Sequence, residues 1–448
     1  MSQLPLGWEM ATGADIFDLV RGVSYDKSAV RNEPGPDLVP VLRANNIGAG
    51  RLNRDDLVFV PSRFVASHQL LRPHDLVIAS SSGSRTVVGK AASANAEFGD
   101  AAFGAFCAVV RPRAPELAGW LRNYFRTREY RAFVERVALG ININNLRGKD
   151  LAGMPICVPP VAEQRRIVAK LDALSDSAVR ARADLDRIPA LAARYKEAVL
   201  ANAVKEAEVE AASITTLGAL AEEVRNGLSR RPEHVPPGFP ILKISAIRPL
   251  TVRLEEVRYY VAEPGEDVRR YALRRGDLLF TRFNGNPELV AACGQVEELP
   301  DGGMLYPDKL IRVRLDHSRV APEFAEIIAS SPQARTQLQQ SIKSAAGQHG
   351  ISGGNLKLLR IPLPPIENQQ LIARRTRAAL REIDRLTAEA AAARRLLDRL
   401  DQAVLAKAFR GELVTQDPTD EPASVLLDRV RAERAATPKA KRGRKVAP

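Results

Sequence analysis

Cysteine is scarce in this chain, and its three thiols, Cys107, Cys157 and Cys293, lie far apart in 448 residues. That spacing excludes a disulfide framework and a paired zinc motif, and it fits a reducing compartment. Long apolar runs are missing too: no stretch of about 18 apolar residues occurs. The opening segment, Met1 to Met10, has no basic stretch leading into an apolar one. The chain is therefore expected to be soluble and cytoplasmic, with no membrane contact. Catalytic signatures are equally absent. There is no G-x-x-x-x-G-K-[ST] phosphate loop, no Asn-Pro-Pro-aromatic methyltransferase motif and no His/Cys cluster at metal spacing. Pro307-Asp308-Lys309 has the look of the start of a nuclease carboxylate set, but no Glu-x-Lys partner follows it. No catalytic residue and no metal site are expected, and the chain is not expected to be an enzyme.

Positive charge is plentiful. Lys and Arg number 66 against 53 Asp and Glu, a formal net charge of +13. An excess of this kind attracts polyanions, and in a soluble chain the usual polyanion is nucleic acid. The length leaves room for two to four domains of roughly 100 to 200 residues each.

The most informative pattern is an internal duplication with a period of about 200 residues, found by the same self-comparison that reveals shorter repeats. Val39-Pro40-Val41-Leu42-Arg43 returns as Phe239-Pro240-Ile241-Leu242-Lys243. Leu71 to Ile78 returns as Leu273 to Phe280, and both pairs read as strands. Ala114-Pro115-Glu116 matches Ala321-Pro322-Glu323, Pro159 to Gln164 matches Pro364 to Gln369, and Ala198 to Ala201 matches Ala403 to Ala406. Each copy has a β-rich front that closes in a helical stretch, Leu117 to Val137 and Glu323 to Ser344. A long helix then starts at the Pro-Pro pair, since proline is tolerated in a first helical turn.

In the first long helix Ile167, Leu171, Leu174, Ala178, Ala181, Leu185, Ile188, Ala192, Tyr195 and Val199 alternate by four and three, the spacing of a coiled-coil seam. The second repeats the seam with Ile372, Thr376, Ala379, Ile383, Leu386, Ala390, Ala393, Leu397, Leu400 and Val404. A helix of roughly 40 residues spans about 60 Å, and Pro189 predicts a kink in the first one. The fold expected is α/β (α+β): two globular α/β domains joined by two long helices in an antiparallel coiled coil, with a pseudo-two-fold internal repeat. The boundaries read as 1–158 and 209–363 for the two heads, 159–208 and 364–411 for the helical spacers, and 412–448 for a basic, disordered tail. Two similar basic heads on a rigid spacer suit a bipartite, asymmetric DNA target with an unspecified gap.

At these residues the chain resembles the DNA-specificity (S) subunits of type I restriction-modification systems. The resemblance rests on Leu4-Pro5-Leu6-Gly7-Trp8, on Gly276 to Arg282 with Asn284-Gly285 behind it, on the two Pro-Pro-hydrophobic-x-x-Gln junctions, and above all on Ala403 to Val414. The first copy lacks the Phe-Arg-Gly-Glu-Leu run of that last segment. The resemblance implies two target-recognition domains, each reading one half-site of double-stranded DNA, and spacers that fix the gap and bind two methyltransferase (M) subunits. Restriction/translocase (R) subunits are a further expected partner whose presence the sequence leaves open. S-adenosylmethionine, ATP and Mg are expected on the partners and no cofactor on this chain.

Within the heads, Ser80, Ser82, Ser84 and Arg85 follow a strand and combine hydroxyls with a guanidinium able to bond a phosphate or a guanine edge. Arg282, Asn284 and Asn286 occupy the corresponding loop of the second head. Asn142 and Asn144 in one copy and Gln348 in the other lie in a second pair of loops, where amide side chains can pair with adenine. Lys309, with Lys243, Arg248 and Arg253, is a candidate phosphate contact. The same clusters also suit plain turns. The tail cations Lys439, Lys441, Arg442, Arg444 and Lys445 are expected to add non-specific, salt-sensitive affinity. Two rival readings remain at this level. A coiled-coil protein scaffold without DNA readout would be opposed by a neighbouring adenine-methyltransferase gene, and a nucleic-acid enzyme would reveal itself by activity of the purified chain alone.

Overall fold

A computed structural model describes residues 4–48, 50–138, 144–230, 232–233, 236–345 and 347–436. The chain divides into two compact units, 1–183 with 394–448, and 184–393. Each unit contains one β-rich head and the adjoining parts of both long helices. These helices, Val161–Glu210 and Ile366–Phe409, join the two α/β heads and pack against each other antiparallel within each unit.

The first head is built on a five-stranded sheet in the order Phe17–Arg21, Cys107–Pro112, Leu76–Ala79, Ala91–Ser93, Gly50–Arg51. The second repeats its centre as Ala221–Asn226, Leu310–Leu315, Leu278–Thr281, Cys293–Gln295. Leu76–Ala79 and Leu278–Thr281 are buried along their whole length, as continuous apolar strands covered on both faces must be. The duplication extends to single hydrogen bonds. Asp75, buried, accepts from Nε of Arg111 at 2.8 Å and from Nη2 at 2.7 Å, and Asp277 accepts from Arg314 at the same two distances.

The helical stretches predicted over 117–137 and 323–344 are each two helices, Glu116–Tyr124 with Arg128–Val137 and Pro322–Ala329 with Pro332–Gln339. The breaks are built by N-caps. Thr127 accepts from the amide of Tyr130 at 3.1 Å, and Ser331 accepts from that of Ala334 at 3.2 Å. Residues 343–345 are a strand, not the end of a helix.

The first long helix continues through Pro189, whose ring nitrogen leaves the carbonyl of Leu185 without its usual donor. Most predicted seam residues face inward, but Leu174 and Tyr195 are exposed. On the second helix Ile372, Thr376, Ile383 and Ala390 are buried while Leu386, Ala393 and Leu400 are exposed, and the inward face passes to Leu380, Thr387, Asp401 and Leu405. From Leu380 onward every second seam position lies one residue later than a strict 3.5-residue repeat puts it, while Ile383, Ala390 and Leu397 keep their places. The seam is also less apolar than its sequence pattern predicts: Arg182 bonds Asp398 at 3.2 Å and pairs with Asp401, and Lys196 pairs with Asp384.

The residues that carry the family resemblance close the first unit. Trp8 meets Trp120 edge-on at 5.5 Å, and Phe409 lies 4.0 Å from the Trp120 ring. Gly411 sits at φ +74°, where a side chain is strained and a Cβ would lie 2.8 Å from Pro5. Trp8 donates to the buried Glu163 carboxylate at 2.9 Å. The segment 412–448, expected as a disordered tail, instead contains the helix Ala423–Ala436, whose Ala423, Leu426, Leu427 and Val430 join the first head's core beside Ile16, Leu117 and Ile156. Their i, i+3, i+4, i+7 spacing is an amphipathic stripe masked in the sequence by the arginines around it. The basic cluster 439–445 lies outside the described residues.

Candidate nucleic-acid interface

The two loops singled out in each head are far apart in sequence and adjacent in space. In the first, Ser81–Ser82 pairs antiparallel with Asn144–Asn145. In the second, Phe283–Asn284 pairs with Gln348–Gly350, and Lys343–Ala345 adds a third strand. These small ladders leave the central sheet at the ends of Leu76–Ala79 and Leu278–Thr281. Both are anchored by one backbone bond in the same place, Leu146 N–H to the Ser80 carbonyl at 2.8 Å and Ile351 N–H to that of Arg282 at 3.0 Å.

An arginine from the second helix of each pair then clamps the loop beyond the ladder. Arg131 donates to the carbonyl of Val88 at 2.7 Å and to that of Arg85. Arg335 donates to Pro287 at 2.6 Å and to Val290. The fork of a guanidinium suits two carbonyls in fixed relation. These clamps were not read from the sequence, where each is one more arginine on a helix. The duplication was the available signal, since Arg131 and Arg335 occupy matching places after Thr127 and Ser331.

The individual side chains fall into two groups. Several are engaged inside the fold. The Ser80 hydroxyl donates to the Phe106 carbonyl at 3.0 Å, Ser82 Oγ accepts from the amide of Ser84 at 3.1 Å, and Ser84 Oγ lies 2.9 Å from Thr86 Oγ1. Asn144 is buried and reaches the Gly83 carbonyl at 3.4 Å. Asn284 and Asn286 accept backbone amides of Asn286 and Glu288 at 2.9 and 3.0 Å. Asn286 thereby caps the short turn that begins at Pro287.

The second group comprises the cations and Gln348, of which Arg85, Gln348 and Lys309 are exposed and Arg282 is half-buried. Arg85 is exposed, with no acidic partner among the described residues. It borders a cleft of about 330 Å³ shared with Thr86, Arg131, Glu135 and Asn144. Gln348 is exposed on its strand. Arg282 lies over the Phe283 ring at 4.6 Å and donates to the Asp308 carbonyl at 3.3 Å, while its buried Nε is without a partner. Lys309 is exposed and comes within 5.9 Å of the same ring. Phe283 thus has two cations near its ring, at 4.6 and 5.9 Å, and Gly350 gives it room, since a Cβ there would run into the ring. Arg253 is held by Glu256 at 3.2 Å, and Arg248 donates to the carbonyl of Ile247. Asn142 lies outside the described residues.

Pro307-Asp308-Lys309 forms a tight turn, closed by Leu310 N–H to the Pro307 carbonyl at 2.9 Å. Among the described residues no group of three or more His, Cys, Asp or Glu side chains is placed to hold a metal ion, and no helix is long and apolar enough to cross a membrane. The arrangement presents hydrogen-bonding and cationic groups on stiff backbone.

No family model matches the chain. The type I restriction enzyme EcoKI specificity subunit of Escherichia coli (strain K12) is 38% identical over 461 residues, covering 99% of both chains. The StySPI specificity subunit of Salmonella potsdam is 33% identical over 464 residues, again covering 99% of both. Among solved structures, a chain from work on complex assembly and conformational transition of the type I R-M system shares the fold with a TM-score of 0.66. It covers 92% of this chain and 100% of its own length at 18% identity.

Proposed function

Because the chain belongs to the type I restriction-modification specificity subunits, we propose that it reads an asymmetric, bipartite sequence in double-stranded DNA, one half-site per head, and carries the modification and restriction subunits to it. The observation that carries this reading is the repeated ladder. One frame, anchored by equivalent backbone bonds and clamped by Arg131 or Arg335, carries Ser80, Ser82 and Ser84 in the first head and Arg282, Asn284 and Asn286 in the second, each with hydrogen-bonding capacity beyond the bond it makes within its loop. Equivalent positions with different donors and acceptors are what two unlike half-sites require, since each base pair offers its own pattern in the major groove. Arg85, Lys309 and Gln348 point away from the fold and supply the cations and the amide for phosphate and base edges. Asn142 and Asn144 belong to the same proposal, Asn144 as the residue that fixes the Ser82–Ser84 loop.

The long helices supply the second half of the function. Leu174, Tyr195, Leu386 and Leu400 are exposed on them at positions of the predicted apolar seam, which leaves apolar surface on both helices for partner subunits to cover. With one such set in each unit, two methyltransferase subunits are the stoichiometry proposed, with restriction/translocase subunits added to that core. S-adenosylmethionine, ATP and Mg belong to these partners, and the spacers at 159–208 and 364–411 set the gap between half-sites read by 1–158 and 209–363. A cytoplasmic setting, where the chromosome is, follows from this role.

The test is a genome-wide methylation map of the host with and without the gene. Loss of one bipartite motif with a fixed gap on deletion supports the reading and gives the target directly. Unchanged methylation in a host that expresses the methyltransferase subunit would overturn it.

A further inference from the structure

The strand Cys107–Pro112 of the first head and Leu310–Leu315 of the second are equivalent, as Arg111 and Arg314 with their aspartates show. Each strand is entered by a tight turn. Cys107 N–H reaches the Gly104 carbonyl at 2.8 Å, as Leu310 N–H reaches that of Pro307. The last residue of the turn is Phe106 in one head and Lys309 in the other. Its carbonyl has the same duty in both: Phe106 accepts from the amides of Ser80 and Ser81 at 2.9 and 3.1 Å, and Lys309 accepts from that of Arg282 at 2.8 Å. The side chain at this position therefore leaves the same point of the frame, immediately beside the ladder. Lys309 is an exposed cation there, whereas Phe106 is 68% exposed, the most exposed aromatic side chain among the described large hydrophobics.

Among the described residues the ring has no aromatic or cationic contact and lies on the surface. Phe106 belongs to none of the apolar clusters of its unit, and the backbone already fixes the turn. An aromatic held in water by a rigid turn, next to hydroxyls and at the place where the sister head has a lysine, has its partner elsewhere. Resting on the DNA-reading function above, we propose that Phe106 is a specificity-determining residue of the first head, which makes an apolar contact with the C5-methyl of a thymine in the first half-site. The methyl is the apolar group the major groove displays, and it distinguishes T·A from the other pairs. The two heads then differ in kind at one position: the first reads a methyl, the second neutralises a phosphate.

The experiment uses the assembled complex of this chain with its methyltransferase subunits and 30-base-pair duplexes carrying the motif from the methylation map. Phe106→Ala, on an exposed turn, is expected to fold as the wild type and to weaken binding about tenfold. This loss is expected to vanish on duplexes in which one particular T·A pair has been replaced, and to persist on duplexes altered in the other half-site. The slope of log K against log salt should not change, because no counterion is released by a phenyl ring, whereas Lys309→Ala should lower it by about one. Equal loss on every duplex, no loss at all, or coupling to a G·C pair would overturn the assignment. If deletion of the gene alters no motif, the reading on which the proposal rests fails first, at the mapping stage and before any variant is made.

Discussion

Arg131 and Arg335 hold their loops through carbonyl oxygens, so the loop sequence can vary while the grip stays constant. Arg131→Ala is expected to free residues 84–88 without unfolding the head. Val87 and Val88, whose amides bond the Ser84 carbonyl, should exchange their amide hydrogens at least tenfold faster, and binding to the target duplex should weaken while far-ultraviolet circular dichroism is unchanged. Glu163 offers a pH handle. Burial pushes its carboxyl above the usual carboxylate range, against the lowering effect of the Trp8 hydrogen bond. An acid with a raised pKa in the folded state contributes stability that is present below its ordinary pKa and lost as pH rises through the raised one. Glu163→Gln keeps an acceptor for Trp8 and removes the buried charge. It should raise the melting temperature at pH 7 to 8 and flatten the decline between acid and neutral pH, followed by thermal scans at several pH values. Neither residue was legible in the sequence, because a clamp and a desolvated carboxylate are defined by what surrounds them.

The long helices and the closing segment show how far a periodic pattern carries at the scale of elements. Spacing by three and four correctly announces two helices that pack along one stripe. Which of two neighbouring residues faces inward is decided by packing against the other helix, and Thr387 and Asp401 take the places expected for Leu386 and Leu400. The end of the second helix is tied down by Phe409 among Trp8, Trp120 and Tyr124. Phe409→Ala should destabilise the first unit by about 3 kcal/mol. The chain has only two tryptophans, both in this cluster, so urea titration followed by tryptophan fluorescence reads that loss directly. An unchanged midpoint would mean that the aromatic cluster does not hold the helix end.

At the scale of the whole molecule, the excess of positive charge is the property that acts before any base is read. Lys439, Lys441, Arg442, Arg444 and Lys445 concentrate five cations in the last residues. Truncation after residue 437 is expected to weaken binding to target and non-target duplexes by the same factor and to lower the salt slope, leaving the methylated motif as it is. Binding measured between 50 and 200 mM salt on both duplexes checks this, and a changed motif would contradict it.

Duplication, the two long helices, the absence of an active-site motif and the family resemblance were all determined by the sequence alone. Each is a matter of which residue types follow one another and at what interval. Ser80 to Arg85 and Arg282 to Asn286 were legible as loops, but that they pair with Asn144–Asn145 and Gln348–Gly350 was not. Such pairing joins residues more than sixty positions apart, and no local interval records it. The same limit hid Ala423–Ala436, whose stripe becomes a core element only when the first head offers an apolar face to cover. It hid Phe106 too, since a phenylalanine in a strand-rich sequence reads as core until the turn that holds it in solvent is known. Tertiary structure decided which groups are used up by the fold and which remain exposed.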